Sequence, residues 1–209
     1  MDSQAPRRRN PRGQGGKLRG DLIGATRTLL ASAQSEAEVS IRAVTKAARV
    51  APQSFYLQFA SRDELLYAVY ALEYGELARR LSEAGNNSDP VAHLRAVCGA
   101  YLDFAAANPG GYRVLASVRG HASHPGWGGR PLPGHAAFEL IQQAVTNALA
   151  KRRRHPDPFL VASALWASLH GLATLIADRP AFPWPPTEKL LELIVAQTVG
   201  TAAQGPSRG

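Results

Sequence analysis

The stretch from Ser40 to Phe59, SIRAVTKAARVAPQSFYLQF, holds two short amphipathic helical patterns with only a few residues between them. In the first pattern, Ile41 and Val44 recur at a spacing that puts them on one helical face, and Ser40 is placed to cap the start. Pro52 fits the first turn of a second helix, because the N–H that proline lacks has no helical partner there. The stretch therefore predicts two helices joined by a tight turn.

The second helix is expected to turn Phe55 and Phe59 inward, because they lie four residues apart. Two helices joined at a steep angle by about three or four residues form a helix-turn-helix, whose second helix enters the major groove of DNA by its N-terminal end. The pattern predicts that Gln53 and Ser54 reach base edges, with Arg42 extending from the preceding helix. Glutamine can pair with adenine through two hydrogen bonds, and arginine with guanine.

A second group of polar side chains lies near the helix ends and is predicted to contact DNA phosphates, because backbone N–H groups also point at phosphates there. These residues are Ser40, Thr45, Tyr56, Gln58 and Arg62. For Tyr56 the alternative is a half-buried packing role. For Leu57 packing is the main expectation, and contact with a thymine methyl group is the alternative.

These residues also carry a family resemblance. The pattern S-I-R-A-V-x-x-A-A-x-V-x-x-x-x-F-Y-x-x-F-x-S-R-D-E-L-L resembles the N-terminal domain of the TetR (tetracycline-repressor) family of bacterial regulators, over about Leu18 to Tyr70. It includes Ser61 and Glu64 as an S-x-x-E capping box, which opens the next helix. The resemblance implies a helix-turn-helix fold but leaves the target base sequence open. The chain departs from the family pattern at Ala51, Pro52, Leu57 and Gln58.

Charge is unevenly distributed along the 209 residues. Residues 1–62 hold eleven Lys and Arg against four Asp and Glu, a net charge of +7, whereas residues 63–209 hold thirteen against twelve, a net charge of +1. This segregation argues against a generally basic surface and favours a nucleic-acid-binding head on a nearly neutral body. An apolar content of 45% is enough to bury a real core.

Three segments are predicted. Residues 1–16 form a basic arm expected to be disordered, which either places arginines in the minor groove or serves as a solubilising tail. Residues 17–62 form the helix-turn-helix domain, and residues 63–204 a C-terminal ligand-binding and dimerisation domain. The single cysteine, Cys98, is expected to be buried and fits a cytoplasmic protein, as does the lack of a signal peptide or a long apolar run that could span a membrane.

Helical periodicity continues through the rest of the chain, and no convincing strand pattern interrupts it. The predicted fold is all-α with about nine helices. The segment GHASHPGWGGRPLPG, residues 120–134, has no periodicity and is predicted to be an irregular loop.

The segment LWASLHGLATL, from Leu165 to Leu175, resembles the Trp-x-x-x-His-Gly signature of a C-terminal domain in one TetR subgroup. Its helix is apolar over most of its circumference, so it should be buried on two sides, by its own domain and by a second subunit. With the final helix it would form a four-helix interface in a homodimer, as TetR relatives do. The predicted interface residues are Leu165, Leu169, Leu172, Ile176, Leu191, Ile194 and Val195.

The resemblance also implies a pocket for a small-molecule effector, whose binding would move the helix that follows Ser61 and so reorient the heads. His170 is expected to be either a satisfied core residue or a ligand contact. For each pocket candidate the alternative is a plain core role. The candidates are Tyr101, Phe104, Tyr112, Leu115, Phe138, Ile141, Trp166 and His170.

No catalytic motif, cofactor site or metal site is predicted, since the chain has no paired-carboxylate motif, no nucleophile elbow and no phosphate loop. The leading hypothesis is a TetR-type regulator, expected to be a repressor released from its operator by the effector. Two alternatives remain: a nonspecific nucleoid-type DNA binder, and a metal-dependent sensor or enzyme using His121 and His124. The operator, the effector and the regulated genes are not specified by the sequence.

Overall fold

The computed structural model describes residues 14–33, 36–85, 88–117, 129–152 and 156–200. Within these ranges the chain forms nine α-helices, one short 3-10 helix at Glu36–Glu38 and no β-strand, which confirms the all-α prediction. The helices are α1 (Gln14–Ser32), α2 (Ile41–Ala47), α3 (Pro52–Phe55), α4 (Arg62–Ser82), α5 (Pro90–Ala107), α6 (Pro109–Ser117), α7 (His135–Lys151), α8 (Pro158–Asp178) and α9 (Thr187–Val199).

Short polar side chains cap several of these helices where the sequence placed them. The Oγ of Ser61 accepts a hydrogen bond from the N–H of Glu64 at 3.1 Å, and a carboxylate oxygen of Glu64 accepts one from the N–H of Ala60 at 2.7 Å. The two hydrogen bonds make a capping box, in which Glu64 binds the N–H of Ala60 rather than that of the N-cap residue Ser61. Each such cap stabilises a helix by about 1 kcal/mol. Side chains also cap α2, α5 and α8, from Ser40, Asp89 and Asp157.

Two hydrophobic cores divide the molecule, and they meet on α4. The head consists of α1, α2, α3 and the first half of α4, through Tyr70; the body runs from the second half of α4, beginning at Leu77, through α9. The predicted boundary at residues 62 and 63 stays a prediction, but the cores divide in the middle of α4. One body residue, Val114 of α6, completes the head core. The two units are therefore joined by a continuous helix and by packing against α6.

The predicted second helix of the helix-turn-helix, α3, is a single turn. Helix α6 begins at Pro109, and in its first turn Oδ1 of Asn108 accepts a hydrogen bond from the N–H of Gly111 at 3.1 Å. Most of the predicted arm and the His121 and His124 part of the loop lie outside the described residues. The loop's described end packs on α4, where Tyr67 donates to the carbonyl of Pro131 at 3.1 Å.

Candidate DNA-binding surface and effector pocket

The turn after α3 separates buried anchors from exposed side chains. Phe55 and Phe59 are buried with ring centroids 5.8 Å apart, which confirms that they face inward. Tyr56 and Leu57, between them, are 64% and 69% exposed. Tyr56 is therefore not half-buried. An exposed Tyr and Leu pair held by two buried phenylalanines is suited to enter a groove or contact a flat polar surface.

The turn between α2 and α3 presents cations. Arg49 has a φ of 56°, in the left-handed region that residues other than glycine seldom adopt. The backbone N–H of Arg49 donates to the carbonyl of Lys46 at 3.2 Å, and that of Val50 donates to the carbonyl of Thr45 at 3.0 Å. The side chains of Arg42, Lys46 and Arg49 are all exposed. Lys46 and Arg49 were not among the predicted contacts, although their charge inside the motif was a usable signal.

Most predicted DNA-contact side chains are accessible. Arg42, Gln53 and Tyr56 are exposed, and Ser54 and Gln58 are partly buried. Ser40 is also exposed, but its Oγ accepts a hydrogen bond from the N–H of Ala43 at 3.2 Å.

Thr45 and Arg62 have partners inside the head instead. Thr45 is buried, and its hydroxyl donates to the carbonyl of Ile41 at 3.0 Å. The Nε of Arg62 donates to the carbonyl of Val39 at 2.7 Å, and its Nη2 donates to the carbonyl of Glu36. Thr45 is too buried to reach a phosphate, whereas Arg62 joins α4 to the segment before α2 and its phosphate contact stays a prediction. Helical spacing could not reveal this, because the side chain of Arg62 folds back onto a segment more than twenty residues earlier.

Arg19 of α1 extends the cationic surface toward α3. Its guanidinium lies 4.4 Å from the centroid of the Phe59 ring, and its Nη1 donates to the carbonyl of Gln58 at 3.4 Å. A guanidinium stacked on an aromatic ring keeps its charge and its outer N–H groups available. Arg19 was not predicted, since it lies outside the helix-turn-helix in sequence.

Hydrogen bonds link two tyrosines and a histidine inside the body. The hydroxyl of Tyr112 lies 2.7 Å from Nδ1 of His170, and the hydroxyl of Tyr101 lies 3.3 Å from that of Tyr112. Burial lowers the pKa of His170, which favours the neutral imidazole. Burial raises the pKa values of Tyr101 and Tyr112, so both phenols stay protonated. The three side chains are thus linked by hydrogen bonds inside the body.

Aromatic rings extend from this hydrogen-bonded group to the surface. The ring centroid of Trp166 lies 6.3 Å from that of His170. The ring centroid of Phe138 lies 6.1 Å from that of Trp166 and 5.6 Å from that of Phe159. Trp166 and Phe159 are exposed, whereas the remaining predicted pocket residues, Phe104, Leu115 and Ile141, are buried in the body core. The predicted pocket residues thus form a packed aromatic layer rather than the walls of one open cavity.

A groove of about 770 Å³ lies beside this layer, between the end of α1 and helices α5, α6 and α8. Its volume is typical of small-molecule sites. Among the predicted pocket residues, Tyr112 lines it; Thr174, Arg113 and Asp178 add further polar groups. The apolar lining includes Leu30, Ala33, Leu102, Ala105, Ala116, Ala173, Ile176 and Ala177.

The predicted interface residues mostly face their own protomer. Leu165, Leu169, Leu172, Leu191 and Val195 are buried in the body core, while Ile176 and Ile194 are partly buried against it. A different set of α8 residues, separated by four, three and eight positions and so on one face, is exposed: Leu160, Ala164, Ala167 and Leu175. By length and mean hydropathy of 1.7, α8 is the one described helix that could cross a membrane, and 28% of that window is buried in the fold.

No group of three or more His, Cys, Asp or Glu side chains that could hold a metal ion occurs in the part of the chain that the structure describes. The sole cysteine, Cys98, is buried, and burial raises the pKa of its thiol to about 12. His121 and His124, on which the metal-dependent alternative rests, lie outside the described residues, so that alternative stays a prediction.

A cationic helix-turn-helix with an exposed aromatic turn, mounted on a helical body, defines a DNA-binding transcriptional regulator. The chain belongs to the TetR family: residues 23–69 match the model of bacterial regulatory proteins of the tetR family, and residues 94–198 match the tetracyclin repressor-like C-terminal domain. The resemblance seen in the sequence is thereby confirmed, and the Trp-x-x-x-His-Gly subgroup stays a prediction. No curated protein matches the sequence.

Solved structures share the fold over nearly their whole length. A protein of unknown function from Rhodococcus sp. RHA1 is 26% identical, with a TM-score of 0.70 over 91% of this chain and 97% of that one. A TetR-like transcriptional regulator from the same organism is 21% identical, with a TM-score of 0.64 over 91% and 96% of the two chains. A TetR family transcription regulator from Marinobacter aquaeolei VT8 is 16% identical, with a TM-score of 0.67 over 90% and 96%.

Proposed function

We propose that the protein is a homodimeric repressor that binds a pseudo-palindromic operator and is released by a small-molecule effector. The observation that carries the DNA-binding part is the turn after α3, where exposed Tyr56 and Leu57 lie between buried Phe55 and Phe59. Phosphates attract the exposed cations of the head, and the side chains of α3 read base edges.

Within that surface, Gln53, Ser54 and Arg42 contact bases, and Leu57 contacts a thymine methyl group. Ser40, Tyr56 and Gln58 contact phosphates. Arg19, Lys46 and Arg49 add phosphate contacts, since all three are exposed cations on the head.

Footprinting across the gene's own upstream region tests this proposal. A protected, pseudo-palindromic segment is expected, with half-sites about one helical turn apart. On that duplex, Gln53→Ala and Tyr56→Ala should weaken binding without dissociating the dimer, and unchanged affinity in both variants would reject this surface. Equal competition by random duplex would instead identify a nonspecific, nucleoid-type binder.

The dimer forms through the exposed apolar face of α8, joined by Leu193 of α9. Leu160, Leu175 and Leu193 are large apolar side chains with at least two fifths of their surface exposed. Small residues between the two leucines of α8, Ala164 and Ala167, allow close approach of a second helix. The residues predicted for the interface support this face from behind, as its core.

The effector occupies the groove between α1, α5, α6 and α8. Its mainly apolar walls favour an apolar molecule, and the exposed side chains of Arg113 and Asp178 provide polar contacts. Because α1 belongs to the head while α6 and α8 belong to the body, an occupant contacts both units at once. An effector that binds more tightly at one distance between α1 and the body helices shifts the protein toward that arrangement, and the head moves with α1.

Filling the groove tests this assignment. Ala116 lines the groove and is exposed, so Ala116→Trp can project into it without disturbing the core. In a screen of small apolar compounds for release of the footprinted duplex, the variant should bind DNA normally but lose its response to compounds active on the wild type. A full response in the variant would place the effector elsewhere.

A further inference from the structure

Glu73 of α4 is a carboxylate buried at the junction of head and body. Only 1% of the residue is exposed, and Oε1 forms an ion pair with Nε of Arg27 on α1. The other oxygen, Oε2, accepts a hydrogen bond from Nδ2 of Asn108 at 3.3 Å. One buried side chain thus contacts the head's first helix and the corner between α5 and α6.

The corner is built to receive this contact. Oδ1 of Asn108 accepts a hydrogen bond from the N–H of Gly111 at 3.1 Å, so one amide side chain links Glu73 to the first turn of α6. Gly111 has no room for a side chain, since a Cβ there would overlap with Nδ2 of Asn108 and Oε2 of Glu73. The next residue, Tyr112, lines the proposed effector groove, and its hydroxyl lies 2.7 Å from Nδ1 of His170.

We propose that Arg27, Glu73, Asn108 and Gly111 form a latch that positions the DNA-binding head on the body according to the position of α6. This inference rests on the proposed function, because the groove beside Tyr112 is where an effector would act on α6. Glu73 is buried while the Arg27 side chain is partly exposed, so separating the two leaves a buried carboxylate without its counter-charge. The arrangement therefore favours one relative position of the three helices.

The latch adds a buried polar connection to an interface that is mainly apolar, where Nη1 of Arg113 also donates to the carbonyl of Ala31 at 3.5 Å. Apolar packing of α1 on α6 and α4 tolerates small shifts, whereas an ion pair and a hydrogen bond to one buried carboxylate depend on distance and angle. If the heads sample several positions, only a fraction of the dimers has both heads placed to contact the two half-sites at once. The apparent affinity for DNA is lowered in proportion to that fraction.

The test uses the full-length dimer with a nitroxide at Glu38→Cys, an exposed position in the short 3-10 helix between α1 and α2, and measures the distance between the two heads by electron-spin resonance. The native Cys98 stays unlabelled, because it is buried and its pKa is raised to about 12. Affinity for the footprinted duplex and the melting temperature are measured in parallel. The variants are Arg27→Met, Glu73→Gln, their combination, and Gly111→Ala.

Arg27→Met and Gly111→Ala should broaden the distance distribution and weaken duplex binding about fivefold or more. Arg27→Met should have little further effect in the Glu73→Gln background, because Arg27 acts through the carboxylate. Arg27→Lys, which keeps the charge, should restore affinity in part. If Arg27→Met fails to fold, Glu73→Gln and Gly111→Ala still test the latch, since neither leaves a buried charge unpaired.

Two matched controls separate positioning from stability. Arg95→Met removes an ion pair between α5 and α9, formed with Glu192 at 2.7 Å, and Gly75→Ala adds a methyl group two residues from Glu73 where no atom lies within 4 Å. Neither should change the inter-head distance.

An unchanged distance distribution, additive effects of Arg27→Met and Glu73→Gln, or unchanged or tighter duplex binding would overturn the latch. If the wild type protects no duplex, the proposed function fails, but the distance measurement still judges the latch because it needs only the dimer.

Discussion

The head and the body differ in the chemistry of their surfaces, since one is charged and the other exposes large apolar side chains. The N-terminal 62 residues carry a net charge of +7. Among the described residues of this segment, the only large apolar side chains that are exposed are those of Tyr56 and Leu57. The remaining 147 residues are nearly neutral and expose several large apolar side chains along α8 and α9. The head is suited to a charged partner, and the body to an apolar one.

The largest effect is expected from the head core. Phe59→Ala removes a buried ring and should lower the free energy of unfolding by about 3 to 5 kcal/mol. If the head is a separate core, urea unfolding followed by circular dichroism should show an early transition, with loss of DNA binding but retention of the dimer. Dissociation of the dimer by this variant would mean that the two cores unfold as one.

The second prediction concerns the apolar face of the body. Leu160→Glu with Leu175→Glu places charges at the proposed interface and should give a folded monomer in sedimentation velocity, with duplex affinity reduced about 100-fold or more, because only one half-site is then held. Leu72→Glu is the control, since Leu72 is half exposed on α4 away from this face. A dimer that survives the double substitution would refute the interface.

A smaller effect is expected from pH. Burial lowers the pKa of His170 below its ordinary value of 6.5, so the unfolded state binds more protons than the folded state between the two values. The free energy of unfolding should therefore fall as the pH decreases below about 6.5. His170→Asn keeps an acceptor for Tyr112 and removes the titration, so its stability should vary less with pH. Equal pH dependence in both proteins would assign the effect to another group.

The smallest effect is expected at the turn. Arg49→Gly relieves the positive φ and should change stability by less than about 1 kcal/mol. If Arg49 contacts a phosphate, the slope of log affinity against log salt should fall by about one. Arg49→Lys keeps the charge and should retain the slope. A slope unaltered by Arg49→Gly would remove this residue from the proposed surface.

Local patterns in the sequence identified the motif, the helices and the anchors. The spacing of Phe55 and Phe59 indicated that they are buried, and the S-x-x-E pattern at Ser61 marked the start of α4. These features depend on contacts within one or two helical turns. The burial of Thr45 and the bonds of Arg62 to Val39 and Glu36 could not be predicted in this way, because they depend on how the head folds around these side chains.

The apolar helix α8 shows the same division. Its composition indicated burial on two sides, but the residues expected at the outer side, such as Leu165 and Leu169, lie in the protomer's own core. A helix that is apolar all round has no polar stripe to mark which face meets the core, so periodicity alone cannot orient it.

Composition and spacing were enough for the helix-turn-helix, the basic head and the all-α class, because each follows from neighbouring residues and from total charge. The tertiary structure was needed to bring Arg27, Glu73 and Asn108 together, to expose Leu160 and Leu175, and to form the groove beside Tyr112. Those features join helices distant in sequence, and the way such helices pack depends on the shape and volume of all the side chains between them.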